Sequence, residues 1–68
     1  MAIEGFVMLQ HRGRYAIFNR DGIYRELKTG DRIEVDTGKD WIEMQVNHDF
    51  EAEISFYPKM VYARLIAQ

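Results

Sequence analysis

Apolar and polar residues alternate one by one along much of this chain. From Arg32 to Asp36 a charge precedes and follows each of Ile33 and Val35, and from Trp41 to Asn47 the apolar set Ile42, Met44 and Val46 alternates with Trp41, Glu43 and Gln45. Side chains of an extended chain point to opposite faces in turn, so this period predicts half-buried strands. It places strands at 3–9, 14–18, 23–27, 32–36, 41–47, 53–57 and 60–66. Ile33, Val35, Ile42, Met44 and Val46 then face inward, with Trp41, Glu43 and Gln45 outward. By the same rule Ile54 and Phe56 face in while Ser55 and Tyr57 face out, and Val61, Ala63 and Leu65 oppose Tyr62, Arg64 and Ile66. The tail over 59–68 also admits a helix, although Val61, Tyr62 and Ile66 favour a pleated surface.

Glycines stand at 5, 13, 22, 30 and 38, a spacing of eight or nine residues. Turn signals at that interval predict a small all-β sandwich or barrel. Asn19-Arg20-Asp21-Gly22, Lys28-Thr29-Gly30-Asp31 and Thr37-Gly38-Lys39-Asp40 each place glycine where a turn closes into a left-handed residue. Gly13-Arg14, after His11-Arg12, reads as a hairpin turn. The alternation leaves open whether the Phe6-Val7-Met8-Leu9 run is buried on both sides or covered on one side by a partner.

Sixty-eight residues allow one small domain, 1–68, and 47% apolar with 29% charged residues is too apolar for a disordered chain. A domain this short buries about 60% of the surface its unfolded chain exposes, which leaves little room for both a core and a deep pocket. The absence of cysteine excludes a disulfide framework, a thiolate zinc site and a cysteine nucleophile, and fits a reducing compartment. No apolar run approaches a membrane span of about 20 residues, and Met1-Ala2-Ile3-Glu4 lacks a signal-peptide layout. The expectation is a soluble cytoplasmic protein.

The run Glu26-Leu27-Lys28-Thr29-Gly30-Asp31-Arg32-Ile33-Glu34-Val35, followed by Trp41-Ile42, resembles the Leu-x-x-Gly-Asp-x-Ile-x-Val segment and Trp of SH3-like barrels. Together with the early Gly13-Arg14-Tyr15, the aromatic pair Phe56-Tyr57 and the closing Arg64-Leu65, it is similar to a bacterial family of short uncharacterised proteins often carried on phages and other mobile elements. The resemblance spans most of residues 13–66. It implies a small SH3-like barrel of five to six short antiparallel strands with no assigned activity. Peptide-binding SH3 domains are a looser comparison. Their Ala-Leu-Tyr-Asp-Tyr run and paired Trp are absent, and Pro58-Lys59-Met60-Val61-Tyr62 is one residue too long for their Pro-x-x-Tyr.

Two surfaces are candidates for function. Trp41, Tyr57 and Tyr62, rimmed by Glu43 and with Tyr15 or Tyr24 as neighbours, would form an amphipathic patch of the kind enriched at interaction surfaces. The same rings could instead close the ends of an undersized core. Charge is the second feature: residues 11–25 hold Arg12, Arg14, Arg20 and Arg25 against one aspartate, while residues 31–53 hold eight acidic against two basic residues. Arginines among aromatics suit phosphate and stacked bases. A net charge of -2 runs against nucleic acid, and the acidic block suits a basic partner protein. Both blocks could equally be solvated faces.

Catalytic and metal-binding chemistry finds little support. Asp31, Asp36 and Asp40 are unpaired across any evident cleft, and a triad would need His11 or His48 beside Ser55, the only serine. His48-Asp49 with Glu51 or Glu53 is a weak metal signal. The expectation is therefore a non-enzymatic binding module without metal or cofactor, taking a protein partner through Trp41, Tyr57, Tyr62 and Glu43. The alternative is a nucleic-acid-binding factor using Arg12, Arg14, Arg20 and Arg25. A third reading is a homodimer joined through Phe6, Met8 and Ile66.

Overall fold

Six of the seven expected strands form in the computed structural model, which describes residues 3–22 and 24–66. They are β1 (Glu4–Leu9), β2 (Tyr15–Phe18), β3 (Tyr24–Glu26), β4 (Arg32–Asp36), β5 (Trp41–Gln45) and β6 (Tyr62–Leu65). Ile23, the expected start of the third strand, and residues 67 and 68 of the alternative tail helix lie outside the described residues, as do Met1 and Ala2. Over 62–65 the tail is a strand rather than a helix, because Val61 and Ala63 are buried on one side while Tyr62 and Arg64 take the other.

The strands make one antiparallel sheet in the order β3-β2-β1-β6-β4-β5. Among the described residues no pairing joins β3 to β5, so the sheet is open where a closed barrel was expected. β1 links its two halves: residues 6–9 pair with β2, and residues 4–6 pair with β6.

Gly5 is the one glycine of the regular series that does not turn the chain; it lies inside β1, within the strand expected over 3–9. A Cβ there would meet the Phe18 carbonyl oxygen at 2.3 Å, so glycine at this position permits the close approach of the β2 backbone. The other four glycines do turn the chain, each with positive φ. Gly22 N–H donates to Asn19 C=O at 3.2 Å, and Asp31 N–H to Lys28 C=O at 2.9 Å.

The expected strand over 53–57 does not form. Phe50–Ile54 is a short helix, α1, entered through a turn in which the Asn47 side chain accepts from Asp49 N–H at 2.8 Å. Phe50 and Ile54, four residues apart and so on one helix face, are both buried. Phe56, expected inward, is 87% exposed, while Tyr57, expected outward, packs against the core. Two features of these residues favour the helix: strong helix formers at Glu51, Ala52 and Glu53, and acidic side chains in the first turn.

α1 packs on the core side of the sheet. The core under it joins Val7, Ile17, Leu27, Ile33, Val35, Met44, Val61 and Ala63 to Phe50 and Ile54. Tyr15 meets Phe50 edge to face at 5.2 Å between ring centroids. Alternation in β4 and β6 holds as expected. On β5 it holds for Met44, and Val46 just past the strand packs on the core; Ile42 stands opposite the buried Val35 as expected but is exposed, because β5 is the sheet edge and the core ends before it.

Candidate functional site

Strand register decides which outward side chains become neighbours. Tyr24 stands opposite Phe18, Phe18 opposite Phe6, and Phe6 opposite Tyr62. One step beyond the Val35–Ala63 pair, Tyr62 lies level with Asp36, and Asp36 stands opposite Trp41. Five aromatic rings and one carboxylate thus form a single row across all six strands. At about 4.8 Å per strand the row runs about 24 Å along the sheet. It lies on the face away from the core: none of the five rings belongs to the core cluster, and Tyr24 and Trp41 are 58% and 37% exposed.

The row is held in place by its own contacts. Phe6 and Tyr62 meet edge to face at 5.4 Å between centroids. The Tyr62 hydroxyl donates to Glu4 Oε1 at 2.7 Å. That hydrogen bond, with partial burial and the Glu4 charge adding to it, raises the phenol above its ordinary value near 10. Arg64 reaches across β4 to lay its guanidinium 3.9 Å from the centroid of the Trp41 ring, a cation–π contact. Its Nε donates to Glu34 at 2.7 Å. Rings fixed in this way lose little side-chain freedom when a partner covers them.

A second row runs beside the first. Glu4 pairs with Arg64, Arg64 with Glu34, and Glu34 with Glu43. Glu34 and Glu43 are like charges directly opposite, an arrangement that destabilises a strand pair unless cations intervene. Arg64 serves Glu34, and Arg32 reaches Glu43 at 3.3 Å. On the β6-β4-β5 half of the face Glu34, Asp36 and Glu43 stand against Arg32 and Arg64, an excess of one carboxylate, while the β3-β2-β1 half of the row is aromatic.

Of the expected patch, Trp41, Tyr62 and Glu43 come together on this face and Tyr57 does not. Tyr57 lines an apolar groove of about 550 Å³ between the end of β1 and the loop after α1, with Leu9, Ile54 and Met60. Arg64, Phe6 and Phe18 join the face without having been singled out for it. Alternation marked Arg64 as outward, but only the register brings it over Trp41.

The four arginines expected to share a surface are dispersed. Arg14 and Arg20 flank opposite ends of β2. Arg14 pairs with Glu26 at 3.3 Å, and Arg25 pairs at 3.3 Å with Asp31, which is only 3% exposed and also accepts Lys28 N–H at 2.8 Å. Arg12 sits in the β1–β2 turn with φ 65°. Of the residues proposed for interchain contact, Phe6 belongs to the aromatic row, while Met8 and Ile66 are half-buried.

The residues considered for chemistry are occupied locally. Ser55 Oγ donates to Ala52 C=O at 2.7 Å, Asp36 accepts Gly38 N–H at 2.8 Å, and Asp40 accepts the Thr37 hydroxyl at 2.8 Å. His48 lies 3.4 Å from Asp49, both exposed, and no three metal-ligating side chains converge among the described residues. No described helix is long and apolar enough to cross a membrane. No protein-family model, curated protein or solved structure matches this chain.

Proposed function

We propose that this chain is a non-enzymatic cytoplasmic binding module that docks a protein partner on the outer face of its sheet. The observation that carries the reading is the cross-strand row Tyr24, Phe18, Phe6, Tyr62 and Trp41, an ordered aromatic surface turned away from the core. Aromatic side chains of this kind dominate the energetics of protein interfaces. Phe6 and Tyr62 form the centre of contact, with Trp41 at one end of the row and Glu43 on its rim.

We also propose membership of the SH3-like bacterial family. Its support is the Leu27-to-Val35 run, which supplies the turn and β4, and the sharing of β1 between two halves of one sheet around a single core. Nucleic-acid binding through Arg12, Arg14, Arg20 and Arg25 ranks second, because Arg14 and Arg25 face carboxylates and Arg20 lies at the far end of β2.

The test compares capture of partners from a cell extract by the wild-type chain and three variants. Trp41→Ala and Phe6→Ser alter the outer face, and Met60→Ser alters the groove on the other side. The expected result is loss of the same partner from both outer-face variants, with unchanged circular dichroism and retention by Met60→Ser. Equal capture by all four proteins, or loss only with Met60→Ser, overturns the reading.

A further inference from the structure

Resting on the outer face as the docking surface, we propose that its occupant is a basic amphipathic peptide segment. Its apolar side chains lie over Tyr24, Phe18 and Phe6, and its Lys or Arg side chains lie beside Asp36 and Glu43.

Two features define that chemistry. The first is the division of the face: the aromatic half carries rings from three adjacent strands, while the other half holds three carboxylates, Glu34, Asp36 and Glu43, against the two guanidiniums of Arg32 and Arg64. The second is the Glu34–Glu43 pair, two like charges directly opposite on neighbouring strands. Arg64 is committed to Glu34 and to the Trp41 ring at once. Glu43 is served by Arg32 alone, through a pair that is about half exposed on both sides and therefore weak. An incoming cation can take the place of Arg32 on Glu43 and reach Asp36, whose other contact is with its own turn.

That cation goes beside the carboxylates rather than to Trp41, whose ring already has Arg64 over it. A phosphate backbone would meet repulsion from the same carboxylates, and so would an acidic peptide. The row's length of about 24 Å matches about 7 residues of extended chain or about 16 of helix.

The test uses the full chain, whose single Trp41 reports on the face through its fluorescence. The probes are a Leu/Lys amphipathic peptide of about 16 residues without aromatics, chosen to match the row, its Leu/Glu counterpart, and an oligo-dT strand. The Leu/Lys peptide is expected to shift Trp41 emission saturably, and the other two probes are not. Asp36→Asn with Glu43→Gln, which keeps an acceptor for Gly38 N–H, is expected to weaken binding about tenfold, the combined effect of two rim charges.

Three results overturn the inference. Binding of the Leu/Glu peptide or oligo-dT in preference to Leu/Lys, or Leu/Lys binding unchanged in the double variant, refutes the charge assignment. The docking face itself survives that outcome if Phe6→Ser still abolishes binding, and falls if it does not. A Trp41 shift that depends on protein concentration without any peptide, and that Phe6→Ser removes, assigns the face to a second copy of the chain. Absence of any effect from all three probes refutes a basic occupant, and the capture experiment then judges the face alone.

Discussion

A methyl group at position 5 would lie 2.3 Å from Phe18 O and 2.6 Å from its carbonyl carbon, both backbone atoms that cannot turn aside. Gly5→Ala is therefore expected to destabilise the chain by about 3 kcal/mol, the upper end of the usual cost of overpacking, as read from urea unfolding. Nothing in the run Glu4-Gly5-Phe6 distinguishes this glycine from one in a turn. Its role depends on a backbone 13 residues away. Tyr62 shows the same dependence on a distant residue through its hydrogen bond to Glu4. Its raised native value means that the folded state favours the neutral phenol. The associated stability is complete below pH 10 and is lost as pH rises through the raised native value. In Glu4→Gln the Tyr62 ring, followed by NMR against pH, is expected to ionise at a lower pH than in the wild type.

At the scale of elements, the segment 50–57 separates two readings of one apolar pattern. Ile54 and Phe56 fit a strand with both side chains inward, while Phe50 and Ile54 fit a helix that leaves Phe56 in solvent. The structure takes the helix, and the two substitutions differ accordingly. Ile54→Ala is expected to cost about 3 kcal/mol as a buried large-to-small change, whereas Phe56→Ser is expected to stay within about 0.5 kcal/mol. Equal costs from chemical denaturation would return the segment to a strand. The other elements were legible because period-two runs in 32–36 and 41–45 are bounded by Gly30 and Gly38, which take the positive φ their turns require. A five-residue helix offers too short a stretch for its period to outweigh alternation.

At the scale of the whole molecule the sheet has two open edges among the described residues, β3 and β5, and β3 is protected by a charge that points inward. Arg25 lies level with the buried Ile17 and pairs with the buried Asp31, which also accepts Lys28 N–H. An inward charge on a short edge strand discourages pairing with another chain. Asp31→Ala leaves that N–H and guanidinium with a lost acceptor in a buried place, and is expected to cost about 2 kcal/mol in thermal or urea unfolding. The homodimer reading belongs at this scale too. An edge-paired dimer would use β5, the less guarded edge, and a dimer through Phe6 would cover the aromatic row; both would make Trp41 emission depend on concentration, and Phe6→Ser is expected to abolish that dependence only in the second.

The sequence by itself determined the β character, the positions of six strands to within a few residues, four of the inter-strand turns and the outward side of Trp41 and Tyr62. These follow from local rules: alternation selects a face and glycine permits a left-handed turn, whatever the rest of the chain does. Only the tertiary structure decided that β6 inserts between β1 and β4, and with it the register that aligns Tyr24, Phe18, Phe6, Tyr62 and Trp41. It also moved Tyr57 to the core side, divided the arginines and set Arg64 over Trp41. Each of these depends on which strands become neighbours, a choice made by burying one shared core that no single segment encodes.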